Sequence, residues 1–374
     1  MGSVKESELK YFYKTLFSDS VACILLGAFG THLGRFDYWQ REYAIGWGND
    51  QWNRRHVVHH WRDALRLLRK DCCNINLGGI FSIPLSGGAS VPALTPYDLA
   101  AAPPSAAGGG VPGPRDWERK HVWRDDAGTP LGELVIDVDL DDQLEGMYDR
   151  RGICGCAGQK RTVCEVCWHV FMDPAQAAME VLLRHFGVTK YIVYFSGRRG
   201  LHWWLLDDWI IMMTNGERAR LMESFNTPPN EHSALGRAMY EALAPYATAH
   251  PALQARCPPG DYVSLMRELY PKMDVPVGAD ASHLHGIPLT LHPETRVLRI
   301  PVGSINDPRT CFSYKHDRFD VDRLTKNPNN IVWACALRLL AILLGPNASI
   351  TPTEWVQKAL SEGGHAFSKS EAFK

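Results

Sequence analysis

The stretch "ELVIDVDLDD" (Glu133 to Asp142) leaves this chain little conformational choice. It alternates strictly, so it reads as a β-strand. Leu134, Ile136, Val138 and Leu140 share one face, and Val135, Asp137, Asp139 and Asp141 share the other. The wholly apolar face anchors the strand in a core. Asp137 and Asp139 then leave the same face, about 7 Å apart along the chain. Carboxylates held side by side repel unless a cation sits between them. Hard oxygen ligands select Mg²⁺ or Mn²⁺. An edge strand with solvated aspartates satisfies the pattern equally well.

Around this strand the patterning switches between the two periods. "ESELKYFYKTLF", "HHWRDALRLLRKD" and "NNIVWACALRLLAILLG" repeat apolar residues at helical spacing. "DPAQAAMEVLLRHFG" reads as a helix with Asp173 or Pro174 near its start and Gly187 at its end. "REYAIGWGND" and "INLGGIFSIPL" read as strands, "KYIVYFSGRRGLHWWLLDD" as strand, glycine turn and strand, and "HGIPLTLHPETRVLRIPV" as a hairpin turning at "HPET". "LAAAPPSAAGGGVPGPRD" cannot make a core and reads as a flexible loop. Helices and strands are intermixed, which predicts an α/β (mixed α+β) fold with helices on a mixed sheet.

Composition narrows the function. Hydrophobic residues make up 45% and charged residues 22%, and the net charge is -1. There is no global basic field, so any nucleic-acid surface must be a local patch. No apolar run approaches the roughly 20 residues of a membrane span. The N-terminus has neither a signal-peptide layout nor a myristoylation pattern, since Glu6 stands where Ser or Thr is needed. The expectation is an intracellular protein with no membrane partner.

Four of the ten cysteines crowd into "CGCAGQKRTVCEVCW": Cys154, Cys156, Cys164 and Cys167. C-x₂-C is a half-site for tetrahedral zinc, and Cys154 with Cys156 would complete a four-thiolate shell. C-x-C is tighter than the usual spacing. A closed shell leaves no position for water, so this zinc would be structural. The remaining cysteines read as packing residues.

In "YFSGRRGLHWW" two arginines flanked by glycines interrupt an apolar strand. Guanidinium forks match phosphate oxygens. Ser196, the amides that follow it and His202 could add donors. A lone Arg-Arg pair fits a solvated surface hairpin as well. Beside the aspartate strand and the cysteine segment, Arg198 and Arg199 point to a triphosphate cradle.

Taken together, "ELVIDVDLDD", the cysteine cluster ending in Cys-Trp, "YFSGRRGLHWW" and "KMDVPVGADASHLHGIPLTLHPETRVLRIPV" resemble the catalytic, small subunit of the archaeo-eukaryotic DNA primase family, closest to the eukaryotic type. "QREYAIGWGNDQWNRR" and "INLGGIFS" are weaker echoes. The resemblance covers most of residues 5–310. It implies a core of two sheets flanked by helices, with an inserted zinc segment and a small helical insertion.

It also implies site roles. Asp137, Asp139 and Asp274 would bind two divalent ions, magnesium or manganese. One ion would activate the attacking 3′-hydroxyl and the other would hold the leaving pyrophosphate. Ser196, Arg198, Arg199, His202 and His292 would contact the nucleotide, together with Glu42 and Arg54. Two positions depart from the family pattern. Gly286 stands where a lysine or arginine is usual, which predicts one fewer cation at the triphosphate. Asn76 stands where a ribose-contacting aspartate is usual.

The activity implied is DNA-templated synthesis of short RNA primers from ribonucleoside triphosphates. The implied partners are a single-stranded DNA template, a primase large subunit and the DNA polymerase alpha complex, in the nucleus. The expected organisation is a core over 1–208 with a zinc segment at 150–170, a helical insertion over 209–260, and a second core part with a C-terminal helix over 261–374. A related repair or lesion-bypass polymerase using deoxynucleotides, or a non-catalytic zinc-stabilised nucleic-acid-binding subunit, are the alternatives.

Overall fold

The computed structural model describes residues 8, 11–31, 41–47, 51–56, 60–71, 74–80, 131–140, 148–156, 163–302, 319–326, 328–345 and 348–361. The Ala/Pro/Gly-rich loop at 99–116 lies outside the described residues. The fold is mixed α/β, with two antiparallel four-stranded sheets and helices packed around them. One sheet has the order β2 (Gln51–His56), β1 (Arg41–Trp47), β3 (Asn74–Ile80), β7 (His285–Gly286). The other has the order β4 (Leu134–Asp139), β6 (Gly200–Leu205), β5 (Tyr191–Phe195), β8 (Pro301–Val302).

The alternating stretch forms β4 as the sequence requires. Leu134, Ile136 and Val138 are fully buried, while Asp137 and Asp139 are half-buried. β4 pairs with β6 so that Asp137 faces His202 and Asp139 faces Gly200; β5 then sets Tyr194 opposite the same His202. Directly opposed residues on neighbouring strands project from the same face of a sheet. One register therefore gathers Asp137, His202 and Tyr194.

Helices bury the second sheet. Glu165–His185 lays Trp168 edge-on against Phe195 at 5.4 Å and packs along Ala234–Ala247. The helix starts at Glu165, capped by Cys164, and carries Pro174 inside it, which corrects the expected start at Asp173 or Pro174. The two cysteines of C-x₂-C lie in its cap and first turn, so the added turns belong to the cysteine cluster. It ends where expected: Gly187 takes a left-handed φ of 71°, and Val188 N–H donates back to Leu183 O at 2.8 Å. On the N-terminal side, the wide helical turns of Cys23–Phe29 pack against the apolar helix Pro328–Leu344, and Phe29 reaches Trp204 on β6 at 4.9 Å.

Three buried polar contacts fasten these layers. Arg41 on β1 pairs with Glu133, just before β4, at 2.9 Å with both side chains buried. The Tyr194 hydroxyl donates to Gly286 O at 2.6 Å, joining β5 to β7 of the other sheet. Arg218, fully buried on the helix Asn215–Asn226, donates to four backbone carbonyls. These are Glu133 O at 3.0 Å, Met213 O at 3.3 Å, Ile210 O at 3.4 Å and Gly132 O. It thereby pins the approach to β4 in place. Removing it leaves buried carbonyls without donors, each costing about 1–3 kcal/mol. We expect Arg218→Met to lower unfolding free energy by about 3 kcal/mol in chemical denaturation. A loss below about 1 kcal/mol would show that the clamp is dispensable.

Candidate functional site

The strand pair β4–β6 brings ligand atoms of Asp137, Asp139 and His202 within 4.8 Å of one another. Oδ1 of Asp137 and Oδ1 of Asp139 are both buried without a hydrogen-bond partner. A buried unpartnered carboxylate oxygen is costly, and the donor set of two carboxylates and an imidazole fits a divalent cation. Asp139 Oδ1 rests on Gly200, where any Cβ would collide with it. Asp139 Oδ2 accepts from Arg199 Nε at 2.9 Å. Asp137 Oδ1 lies 3.3 Å from His202 Nε2, a charge contact short of hydrogen-bond alignment.

The two carboxylates titrate apart. Burial and then the Asp137 charge push Asp139 up to about 7, against the pull of Arg199 and His202. Burial also opposes ionising Asp137, but His202, Arg199 and His283 outweigh it and hold its carboxyl below the usual range. His202 is raised: burial disfavours its charge, and Asp137 overcomes that. The hydrogen-bond count agrees. The Tyr194 hydroxyl spends its one proton on Gly286 O, so it accepts from Trp204 Nε1–H at 2.9 Å and from His202 Nδ1–H at 3.0 Å. The Nδ1 proton of His202 thus goes to Tyr194, and Nε2 is turned to the Asp137 carboxylate.

Next to this pair stands the arginine turn. Gly197 has φ 85°, which a side chain would strain. Ser196 Oγ accepts from the amides of Arg198 at 3.4 Å and Gly200 at 3.1 Å. Those two amides serve the turn itself and are not the outward donors expected from the sequence. Arg198 pairs with Glu294 at 2.9 Å, and Thr295 Oγ1 donates to Gly197 O at 2.6 Å. The "HPET" turn is thus stitched to the arginine turn. His292 Nδ1 accepts from the Glu294 and Thr295 amides, which leaves its proton on Nε2. Burial first, then Arg299, Arg198, His202 and Arg199, push His292 down to about 2.

The remaining expected residues are placed as follows. Asp274 donates its N–H to Asp137 O at 3.0 Å, and its carboxylate accepts from Val277 N–H at 3.4 Å, capping the helix Val275–Ala279. It borders the cluster, while His202 is the third group within 4.8 Å. Glu42 is buried on β1 against Gly78 of β3, whose added Cβ would lie 2.5 Å from Oε2. Arg54 belongs to β2 at the sheet edge, and its side chain lies outside the described residues. Asn76 faces Gly286 across β3–β7, with Oδ1 buried and unpartnered.

The missing cation expected at Gly286 needs correction. The Arg299 guanidinium fills that space, 2.6 Å from where a Cβ would stand. The sequence offers Arg296 and Arg299 alike as basic residues that could fill this space, and nothing in "RVLRIPV" decides between them. Sequence reasoning missed Tyr194, whose signal was a hydroxyl inside the apolar run "YIVYF".

Apart from this site, Cys154, Cys156, Cys164 and Cys167 gather with all sulfurs within 4.8 Å. Cys154 and Cys156 are 2.9 Å apart, and Cys164 and Cys167 are 3.7 Å apart. The buried Arg150 guanidinium donates toward Cys156 Sγ at 3.7 Å and Cys167 Sγ at 3.9 Å. Burial pushes the Cys156 thiol up and the Cys167 thiol up to about 11, and a metal ion among the sulfurs would reverse this, because a coordinating thiol is deprotonated. The cluster can hold a metal ion.

Comparison with known proteins adds sequence relatives. A family described as DNA primase small subunit matches residues 136–304. The DNA primase small subunit of Saccharomyces cerevisiae is 34% identical over 94 residues, covering 25% of this chain and 21% of that protein. The Drosophila melanogaster protein of the same name is 43% identical over 81 residues, covering 21% and 16%. The Schizosaccharomyces pombe one is 22% identical over 339 residues, covering 71% and 66%. The aligned segments thus span about a fifth of the budding yeast and fly proteins and just under two thirds of the fission yeast one. The polymerase domain of Mycobacterium tuberculosis Ligase D in complex with DNA superposes with a TM-score of 0.38 at 11% identity, covering 84% of this chain and 91% of that one. That likeness is too loose to carry weight.

The proton on Asp139 gives a direct test of the carboxylate pair. Below about 7 a divalent ion must displace it. Mg²⁺ or Mn²⁺ affinity should therefore rise as pH increases from 6 to 8, with proton release that calorimetry in buffers of different ionisation enthalpy detects. Equal affinity across that range would refute the assignment of the proton.

Proposed function

We propose that the chain is a catalytic primase subunit of the DNA primase small-subunit family, to which residues 136–304 are matched. It makes short RNA primers from ribonucleoside triphosphates on single-stranded DNA. The observation that carries this reading is the pair of buried, unpartnered oxygens on Asp137 and Asp139 beside Arg199 and His202. Anionic ligands and a cation have adjoining places there.

Asp137 and Asp139, with Asp274 alongside, would hold magnesium or manganese. A pair of such ions supplies Lewis-acid activation of a 3′-hydroxyl and neutralises charge on the departing pyrophosphate. The chain's own groups do the positioning. Arg198 and Arg199 leave or share their carboxylate partners to grip phosphate oxygens as bidentate forks. His202 is oriented by Tyr194, which accepts its Nδ1 proton, and turns Nε2 to Asp137. His292 presents Nε2–H from the stitched turn. Ser196 holds the turn rigid through its bonds to the amides of Arg198 and Gly200. Glu42, Arg54 and Asn76 belong to the same reading as nucleotide contacts reaching from the other sheet.

The cysteine cluster would hold one structural zinc through Cys154, Cys156, Cys164 and Cys167, with Arg150 offsetting excess negative charge. The organisation that goes with this reading is a core over 1–208 and 261–374, interrupted by a helical insertion over 209–260. The partners would be the template, the primase large subunit and the DNA polymerase alpha complex, in the nucleus. No helix among the described residues is long and apolar enough to cross a membrane.

Unprimed synthesis on single-stranded DNA with Mg²⁺ or Mn²⁺ tests the reading, with ribonucleotides and deoxynucleotides in parallel and the large subunit present or absent. We expect short RNA products, reduced about 100-fold or more by Asp137→Asn, since transition-state charge stabilisation worth several kcal/mol is lost. Preference for deoxynucleotides would favour a repair polymerase, and activity unchanged in Asp137→Asn would refute the site.

A further inference from the structure

Gly286 on β7 has no left-handed φ, so its backbone does not call for glycine. Space calls for it. A Cβ there would stand 2.6 Å from Cζ and Nη2 of Arg299 and 2.9 Å from Nε. A second glycine borders the same side chain: the Cβ position of Gly197 lies 3.4 Å from Arg299 Cγ. Arg299 therefore runs from the arginine turn, in one sheet, to β7, in the other, through a channel that two glycines keep open.

It is held firmly. Nη1 donates to Thr290 Oγ1 at 2.8 Å and to Leu291 O at 3.1 Å. Its carbonyl accepts from Leu289 N–H at 2.6 Å, and Leu289 adopts a left-handed φ of 62° that a branched aliphatic residue rarely takes. Strained backbone of that kind gathers at functional sites. Arg299 is 6% exposed, yet its charge reaches His292, whose pKa it helps to lower. Arg299 thus shares one neighbourhood with Arg198 and Arg199. Cations collected in low dielectric repel one another, and a polyanion relieves that repulsion.

We propose that Arg299 is a nucleotide-binding residue, contacting the phosphates of the bound triphosphate from the floor of the site, and that Gly286 is the space that admits it. This rests on the nucleotide-binding reading of the arginine turn. The cation that the sequence lacks at 286 is thereby supplied from 299. Arg299 and a long side chain at 286 would exclude each other.

The experiment is an exchange of the two positions, read by calorimetric titration with Mg-ATP, by KM and kcat in primer synthesis, and by thermal stability. Arg299→Ala should weaken ATP binding and raise KM about tenfold, with a smaller change in kcat, because a charge-assisted contact is lost. It should also reduce the salt dependence of binding. Arg299→Lys should retain part of the affinity. Gly286→Lys alone should lower Tm, since two cations would compete for one space. Gly286→Lys with Arg299→Ala should recover affinity and stability together. Arg198→Ala is the reference. If it weakens ATP binding while Arg299→Ala and Arg299→Lys change only Tm, Arg299 is structural and the inference is overturned. If wild type shows no ATP binding, the nucleotide reading fails and the inference goes with it.

Discussion

The Tyr194 hydroxyl is the joint on which the arrangement depends. It lies in the core of one sheet, yet its proton goes to Gly286 O in the other, at 2.6 Å. Its lone pairs then take the Trp204 indole and the His202 ring. Sheet-to-sheet spacing, the position of β7 and the ring orientation of His202 are thus set by one oxygen. Burial raises the hydroxyl's own pKa, against the pull of Arg299 and Trp204, so it stays a donor throughout the physiological range. The Arg41–Glu133 ion pair and the Arg218 clamp act on the same frame by fixing where β4 begins.

Given that frame, the chemistry of the site follows from antiparallel register. β6 delivers His202 opposite Asp137 and a glycine opposite Asp139. Any side chain at 200 would displace the Asp139 carboxylate, and any at 286 would displace Arg299. Glycines at both positions are defined by what passes over them, and neither has a left-handed backbone. Charge is separated across the site, with two carboxylates on β4 and basic groups on the turn and hairpin. The protein holds these opposed groups partly against each other, as in Arg199–Asp139 and Arg198–Glu294. A cation and a polyanion arriving together would relieve both sides.

Much of this was legible in the sequence where periodicity governs. The alternation of Leu134 to Leu140 fixed a strand and put both aspartates on one face. The glycine-bracketed arginines marked a turn between strands, and the cysteine spacing foretold a cluster. What could not be read depends on contacts between segments far apart in the chain. Pro174 suggested a helix start, yet the cysteine-capped turn at Cys164 extends the helix nine residues upstream of Asp173's neighbour Pro174, counting from Glu165. The apparent loss of a cation at Gly286 was real at that position and made good from position 299, thirteen residues on. Pattern reading sees residue types along one segment; it does not see which side chain occupies the space a glycine leaves.

On the proposed function, a divalent cation would sit between the unpartnered Oδ1 atoms of Asp137 and Asp139. Anomalous diffraction from crystals soaked in Mn²⁺ tests it most directly. The expected result is a manganese peak within coordination distance of both Oδ1 atoms, lost in Asp139→Asn. Crystals that show no manganese there, with the two oxygens hydrogen-bonded to ordered water or to protein donors, would contradict it.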